Sequence, residues 1–165
     1  MIKYDLHSHT THSDGRLTVE ELLHRAVDKN IDVFAITDHD TVAAIKPAQQ
    51  FIEAEKLPLS LITGTEVSTK WESFEIHIVG LNIDIENIDL TSLLSAQQQK
   101  REERALEIGV RLAKNGFDGI YEQAKELAKN AKITRAHFAR ALIERGEAKN
   151  FPGVFKKYLG RGKTG

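Results

Sequence analysis

The stretch Asp5-Leu6-His7-Ser8-His9-Thr10-Thr11-His12-Ser13-Asp14-Gly15 sets three histidines and two aspartates within ten residues. It follows a short alternating run, Ile2 to Leu6, that predicts a β-strand. Residues i and i+2 of a strand point to the same face. His7 and His9 are therefore expected to project together from the strand's C-terminal end. Two imidazoles side by side, with Asp14 arriving on the next loop, suit a cation better than a hydrophobic core. His12 on the same loop is expected to face solvent or to lie outside the ligands, and His24, within a helix, is expected at the surface.

At 165 residues the chain predicts one domain, or one domain with a small appendage. The absence of cysteine rules out disulfides and thiolate zinc sites and fits a reducing cytosol, so a cytoplasmic protein is expected. A net charge of −1 gives no global electrostatic case for membrane or duplex DNA binding. No signal peptide is read at the N-terminus, and no apolar run reaches the roughly 20 residues of a membrane span.

Along the first half, strands alternate with helices. Thr18 and Glu21 form a capping box for a helix ended by Asn30. Ile31–Thr37 predicts a buried strand and Val42–Glu55 a second helix, with Pro47 kinking it or marking a start near residue 46. Leu57–Thr63 predicts a third strand ended by Gly64, and Glu75–Leu81 a fourth. This order suggests βαβ units and a parallel sheet. From Leu90 to Glu147 the pattern is helical, with Gly116 as a C-cap and later helices at Tyr121–Ala128 and Thr134–Glu144. The run Gln97–Arg104 is expected to be an exposed helix face. Gly160–Thr164 lacks the phosphate-loop pattern and is assigned no function.

Polar side chains collect where the strands end: His7, His9 and Asp14 after the first, Asp38-His39-Asp40 after the second, and Glu66 after the third. His77 lies inside the fourth strand. The C-terminal rim of a parallel α/β sheet carries such sites. Nitrogen and oxygen donors without thiolates favour manganese, zinc or iron over calcium. Asp38 and Asp40 either orient ligand imidazoles or cap the following helix.

The segments Asp5-Leu6-His7-Ser8-His9, Ser13-Asp14-Gly15, Ile36-Thr37-Asp38-His39-Asp40 and Gly64-Thr65-Glu66 resemble, in order and spacing, the opening motifs of the PHP (polymerase and histidinol phosphatase) family. Within it the chain is most similar to the nucleoside 3′,5′-bisphosphate phosphatases, also described as short-RNA 5′-to-3′ exoribonucleases. The resemblance implies an α/β fold: residues 1–89 as the N-terminal part of a distorted (β/α)₇ barrel, and residues 90–165 as an inserted α-helical subdomain and tail. It implies a centre of up to three divalent metals, manganese foremost, with zinc, iron or magnesium as alternatives. His7 and His9 would hold one metal, Glu66 would bridge it to a second held by His77, and Asp14 and His39 would hold a third. A hydroxide bridging two metals would attack phosphorus in line. Arg135 and His137 would contact substrate phosphate, a small phosphorylated nucleotide or short RNA; a solvated basic face is the competing reading for this pair.

The family's later ligands, a His-Pro histidine and an Asp-x-His pair, have no counterpart here. A truncated chain is therefore expected, with an open sheet edge prone to self-association. Two alternatives stand beside the nucleotide phosphoesterase: a histidinol-phosphate-type phosphatase, and an inactive fragment or binding module.

Overall fold

The computed structural model describes residues 1–160, 162, 163 and 165. Arg161 and Thr164, within the glycine- and lysine-rich tail read above as functionless, lie outside the described residues. The chain divides into two compact units, Met1–Gln98 and Gln99–Gly165.

The first unit is a four-stranded sheet with helices. Its strands are β1 (Tyr4–Asp5), β2 (Val33–Ile36), β3 (Ser60–Trp71) and β4 (Phe74–Leu81), in that spatial order. The helices α1 (Val19–Asp28) and α2 (Ile45–Glu55) are the crossovers from β1 to β2 and from β2 to β3. Both of those strand pairs are parallel. The α1 helix starts as its sequence dictates. The Thr18 hydroxyl accepts from the Glu21 N–H at 3.3 Å, and the Thr18 N–H donates to the Glu21 carboxylate at 2.8 Å. Its apolar stripe, Val19, Leu23 and Ala26, meets Ile45 and Ala48 of α2 and Phe34 and Ile36 of β2 in one core. Burial of such a stripe, rather than propensity, is what holds a ten-residue helix together.

Three expectations are corrected. The sheet is mixed: β4 runs antiparallel to β3. Only Glu72 and Ser73 separate the two strands, and a parallel crossover needs a dozen or more residues. Second, β3 does not stop at Gly64 but runs on to Trp71. It persists because both sides of its middle are paired. The Glu66 N–H donates to the Asp38 carbonyl at 3.2 Å, the Asp40 N–H donates to the Glu66 carbonyl at 3.0 Å, and β4 occupies the other edge. Third, β1 shrinks to two residues. The helix α2 begins at Ile45, in keeping with the start near residue 46 that Pro47 offered. Pro47 sits in that first turn, where its missing N–H costs nothing.

The outer strand β4 is exposed along nearly its whole length. Phe74, Ile76, Ile78 and Leu81 all stand in solvent, as do Trp71 at the hairpin tip and Tyr4 on the opposite edge strand.

The helix α3 (Ile88–Lys114) runs through the boundary between the units. The second unit adds α4 (Ile120–Ala128), α5 (Arg135–Glu144), α6 (Phe151–Val154) and a π-helical turn, Phe155–Leu159. Its core gathers Ile108, Leu112, Ile120, Phe138, Leu142 and Leu159. Gly116 closes α3 at φ +92°, a conformation that favours glycine. No helix among the described residues is long and apolar enough to cross a membrane.

Candidate metal centre

Side chains from two separate loops and the β3–β4 hairpin converge at the Glu66 carboxylate. His7 Nε2 lies 2.8 Å and His9 Nε2 3.0 Å from Glu66 Oε2, and the two imidazole nitrogens are 3.1 Å apart. On the other oxygen, His77 Nδ1 lies 2.8 Å from Oε1. His39 Nδ1 stands 3.7 Å from Oε2, and its Nε2 is 3.7 Å from the Asp14 carboxylate. Asp14 in turn is 3.6 Å from His9 Nδ1. All six expected metal-site residues are thus in one cluster.

Backbone geometry explains the convergence. His7 and His9 leave the end of β1 two residues apart. Glu66 and Ser68 share one face of β3, and their antiparallel partners are Val79 and His77. Glu66 and His77 are therefore diagonal neighbours on one face of the hairpin, within reach of each other's side chains. His39 comes from the segment after β2, held against Glu66 by backbone pairing.

Burial alone would push the Glu66 carboxyl up. Hydrogen bonds from His7 and His77, with the nearby charge on His39 and His9, outweigh it and hold Glu66 below the ordinary carboxylate range. Glu66 is 6% exposed, so an anion here demands compensation.

The donor set fits a divalent metal. Three overlapping groups each bring their ligand atoms within 4.8 Å of one another: His7, His9 and Glu66; His9, Asp14 and His39; and His39, Glu66 and His77. Glu66 belongs to two of these and so can bridge. Separations of 2.8, 3.0 and 3.1 Å among His7, His9 and Glu66 match the ligand–ligand edges of about 3.0–3.4 Å expected around a cation bound at about 2.1 Å.

A fixed loop frames these donors. The buried Asp38 carboxylate accepts the Thr10 N–H at 2.7 Å, the Thr10 hydroxyl at 2.6 Å and the Ser13 hydroxyl at 2.5 Å. It thereby pins the chain between His9 and Asp14, and it neither contacts an imidazole nor caps α2. Gly15 closes the same loop. A Cβ there would sit 2.3 Å from the His9 carbonyl oxygen, so no larger residue fits without moving backbone. Asp40 is also a brace, accepting the Ser68 N–H at 2.8 Å.

Gln97 and Gln98 depart from the expected exposed face. The Gln98 amide donates to the Asp40 carbonyl at 3.1 Å, and the Gln97 amide donates to the Ser68 carbonyl. Arg101 in the same run is buried. Nothing in the sequence signalled these contacts. The hydroxyls of Thr10 and Ser13, flanking the histidines, were the available clue to Asp38. His12 and His24 are exposed, as expected.

Arg135 and His137 belong to the second unit. His137 is buried and accepts the Thr134 N–H on Nδ1 at 3.0 Å, completing a capping box in which Thr134 accepts from Ala136 at 3.2 Å. Arg135 is half-exposed in the first turn of α5.

The 5′-3′ exoribonuclease Rnm of Escherichia coli is 54% identical over 98% of this chain and 55% of its own length. The 3′,5′-nucleoside bisphosphate phosphatase of Chromobacterium violaceum is 37% identical over 100% of this chain and 58% of its own. A solved structure described as an amidohydrolase from Chromobacterium violaceum, with bound sulfate and no metal, superimposes with a TM-score of 0.93 at 36% identity. It covers 98% of this chain and 57% of that one. The chain therefore spans little more than half the length of these relatives. Its α/β fold is that of their shared portion. The PHP domain profile matches residues 5–161, and the chain belongs to the PHP domain family.

Proposed function

We propose that this chain carries the histidine- and carboxylate-rich part of a metal-dependent phosphoesterase that acts on a small phosphorylated nucleotide, a 3′,5′-bisphosphonucleoside, or the 5′ end of short RNA. The observation that carries this reading is the Glu66 carboxylate shared between His7 and His9 on one oxygen and His77 on the other. His7 and His9 would hold one divalent ion, His77 a second, and Asp14 with His39 a third. Manganese is the first choice for a site of imidazole and carboxylate without sulfur. When bound, such ions supply Lewis acidity and bring the pKa of a coordinated water to near neutrality.

The protein's own contribution is preorganisation. Asp38 fixes the loop from His9 to Asp14, and the β3–β4 pairing fixes Glu66 against His77. Glu66 is held as an anion and so is ready to bridge cations. The neighbouring 3.7 Å spacing of His39 from both Glu66 and Asp14 leaves it poised between two groups of donors. Arg135 is the proposed phosphate contact of the helical unit. His137 supports it by capping the helix that carries it.

Two relatives, one named as a 5′-3′ exoribonuclease and one as a 3′,5′-nucleoside bisphosphate phosphatase, support the substrate class. The test is phosphate release from adenosine 3′,5′-bisphosphate, and mononucleotide release from 5′-phosphorylated short RNA, by the 165-residue chain with Mn²⁺. A His9→Ala variant is the control. Release that vanishes in the variant supports the reading. Release from histidinol phosphate alone would replace it with the histidinol-phosphatase alternative, and metal-free folded protein with no turnover would replace it with the binding-module one.

A further inference from the structure

The near-zero net charge hides a division. Residues 1–98 carry 16 Asp and Glu against 7 Lys and Arg, a net of −9. Residues 99–165 carry 16 Lys and Arg against 8 Asp and Glu, a net of +8. The two compact units are thus oppositely charged, and a polyanion is attracted to one and repelled by the other.

Within the second unit the imbalance is steepest at the end. Residues 145–165 contain six Lys and Arg and one acidic residue, Glu147. Lys149, Lys156, Lys157 and Lys163 are all exposed, and Lys157 also feels the Tyr158 hydroxyl and the Glu147 carboxylate nearby. The backbone gathers them. Asn150 caps α6 by accepting the Gly153 N–H at 3.0 Å, setting Lys149 at its start. The π-helical turn presents Lys156 and Lys157 in succession, with the Lys157 ammonium 4.7 Å above the Tyr158 ring. The Gly165 N–H donates to the Tyr158 carbonyl at 2.8 Å and the Lys163 N–H to the Gly160 carbonyl at 3.0 Å, folding Lys163 back onto the same segment.

The apolar residues of this segment decide between the two commonest polyanions. Val154, Tyr158 and Leu159 are buried, and Phe151 and Phe155 pack against the same core. Stable insertion into a bilayer surface draws on an exposed apolar face as well as on basic charge. Here most of the apolar face is spent internally, and Lys149, Lys156, Lys157 and Lys163 stand exposed. That composition fits the phosphates of a nucleic acid strand.

We infer that the surface formed by Lys149, Lys156, Lys157 and Lys163 is a docking surface for the phosphate backbone of single-stranded RNA. This rests on the proposed nucleotide or RNA phosphoesterase reading and narrows it: a mononucleotide needs no such surface, whereas a strand does.

The test is fluorescence anisotropy of a labelled 12-nucleotide single-stranded RNA with the whole 165-residue chain in excess EDTA. About four phosphate contacts predict that affinity falls about 50-fold between 50 and 200 mM salt. Lys156→Glu with Lys157→Glu should weaken binding at least about tenfold at 50 mM salt. A charge-matched pair in the acidic unit, Lys29→Glu with Lys56→Glu, should change it less than about twofold. Lys156→Gln with Lys157→Gln provides a milder version, and circular dichroism checks that each variant folds. No RNA binding, binding indifferent to the Lys156 and Lys157 changes, or tighter binding to phosphatidylserine vesicles than to RNA would each overturn the inference. Because EDTA is present throughout, a failure of metal-dependent hydrolysis cannot produce these outcomes. Hydrolysis of adenosine bisphosphate without RNA binding sinks this inference alone.

Discussion

His77 Nδ1 lies 2.8 Å from Glu66 Oε1, while His7 and His9 address the other oxygen of the same carboxylate. Each oxygen thus serves a different set of imidazoles. Replacing Glu66 with Gln preserves shape but puts an NH₂ group where one of those oxygens must accept. Glu66→Gln is predicted to lower Mn²⁺ affinity by at least about 100-fold, or about 2.7 kcal/mol, read by isothermal titration calorimetry. An unchanged affinity would mean that the carboxylate does not bridge.

Metal should stabilise the fold by mass action. At a free Mn²⁺ concentration 100 times its Kd, the gain is about 2.7 kcal/mol. For a chain of this size that corresponds to a Tm rise of several degrees, on the order of 5 °C. Differential scanning calorimetry with and without chelator measures it. The rise should shrink sharply in His9→Ala, which removes one donor from two of the three ligand groups.

Asp38 offers a cleaner separation of scaffold from ligand. Its two oxygens accept three donors in a buried setting. Asn at this position turns one acceptor into a donor facing other donors. Asp38→Asn is predicted to cost about 1–3 kcal/mol in urea denaturation without any metal present. A loss that appears only in the metal-bound protein would place Asp38 among the ligands instead.

Gly15→Ala should behave similarly for a steric reason. Its Cβ would collide with the His9 backbone, and overpacking of this kind costs about 1–3 kcal/mol. Equilibrium unfolding by urea reports the cost directly. The accompanying displacement of His9 should also weaken Mn²⁺ binding.

The exposed apolar side chains of β4 predict concentration-dependent self-association. Phe74, Ile76 and Ile78 are all at least 40% exposed on a strand with an unpaired edge among the described residues. Sedimentation velocity should show larger species as concentration rises, and Ile78→Lys should reduce them. A monodisperse monomer at all concentrations would refute this.

What the sequence revealed and what it withheld divide along physical lines. The Thr18–Glu21 capping box, the Thr134 cap and the Gly116 stop are local signals, and each appears in the structure as expected. The convergence of His7, His9, Asp14, His39 and Glu66 was legible because strand ends share a rim. The antiparallel course of β4 was missed because alternation reveals a strand but not its direction. The extension of β3 past Gly64 was missed because it depends on pairing with residues 38–40, some 26 positions away. The bracing roles of Asp38, Gln97 and Gln98 were hidden for the same reason: hydrogen bonds between distant segments leave no periodicity. Charge division between the units, in contrast, was written in the sequence but invisible in its total.

The turn at Glu72 and Ser73 acts as a ruler. With Trp71 paired to Phe74, every later pairing follows by counting, and His77 falls opposite Ser68. The separation of two prospective ligands is therefore stored in chain length rather than in their own contacts. One residue added to β4 between the turn and His77, with the turn itself kept, would rotate the imidazole to the other side of the sheet and bring Ile76 into its place. Two added residues would restore the facing but move it along by one pleat. Metal affinity across such an insertion series should thus rise and fall with the parity of the insert, an oscillation that no change of side-chain chemistry would produce.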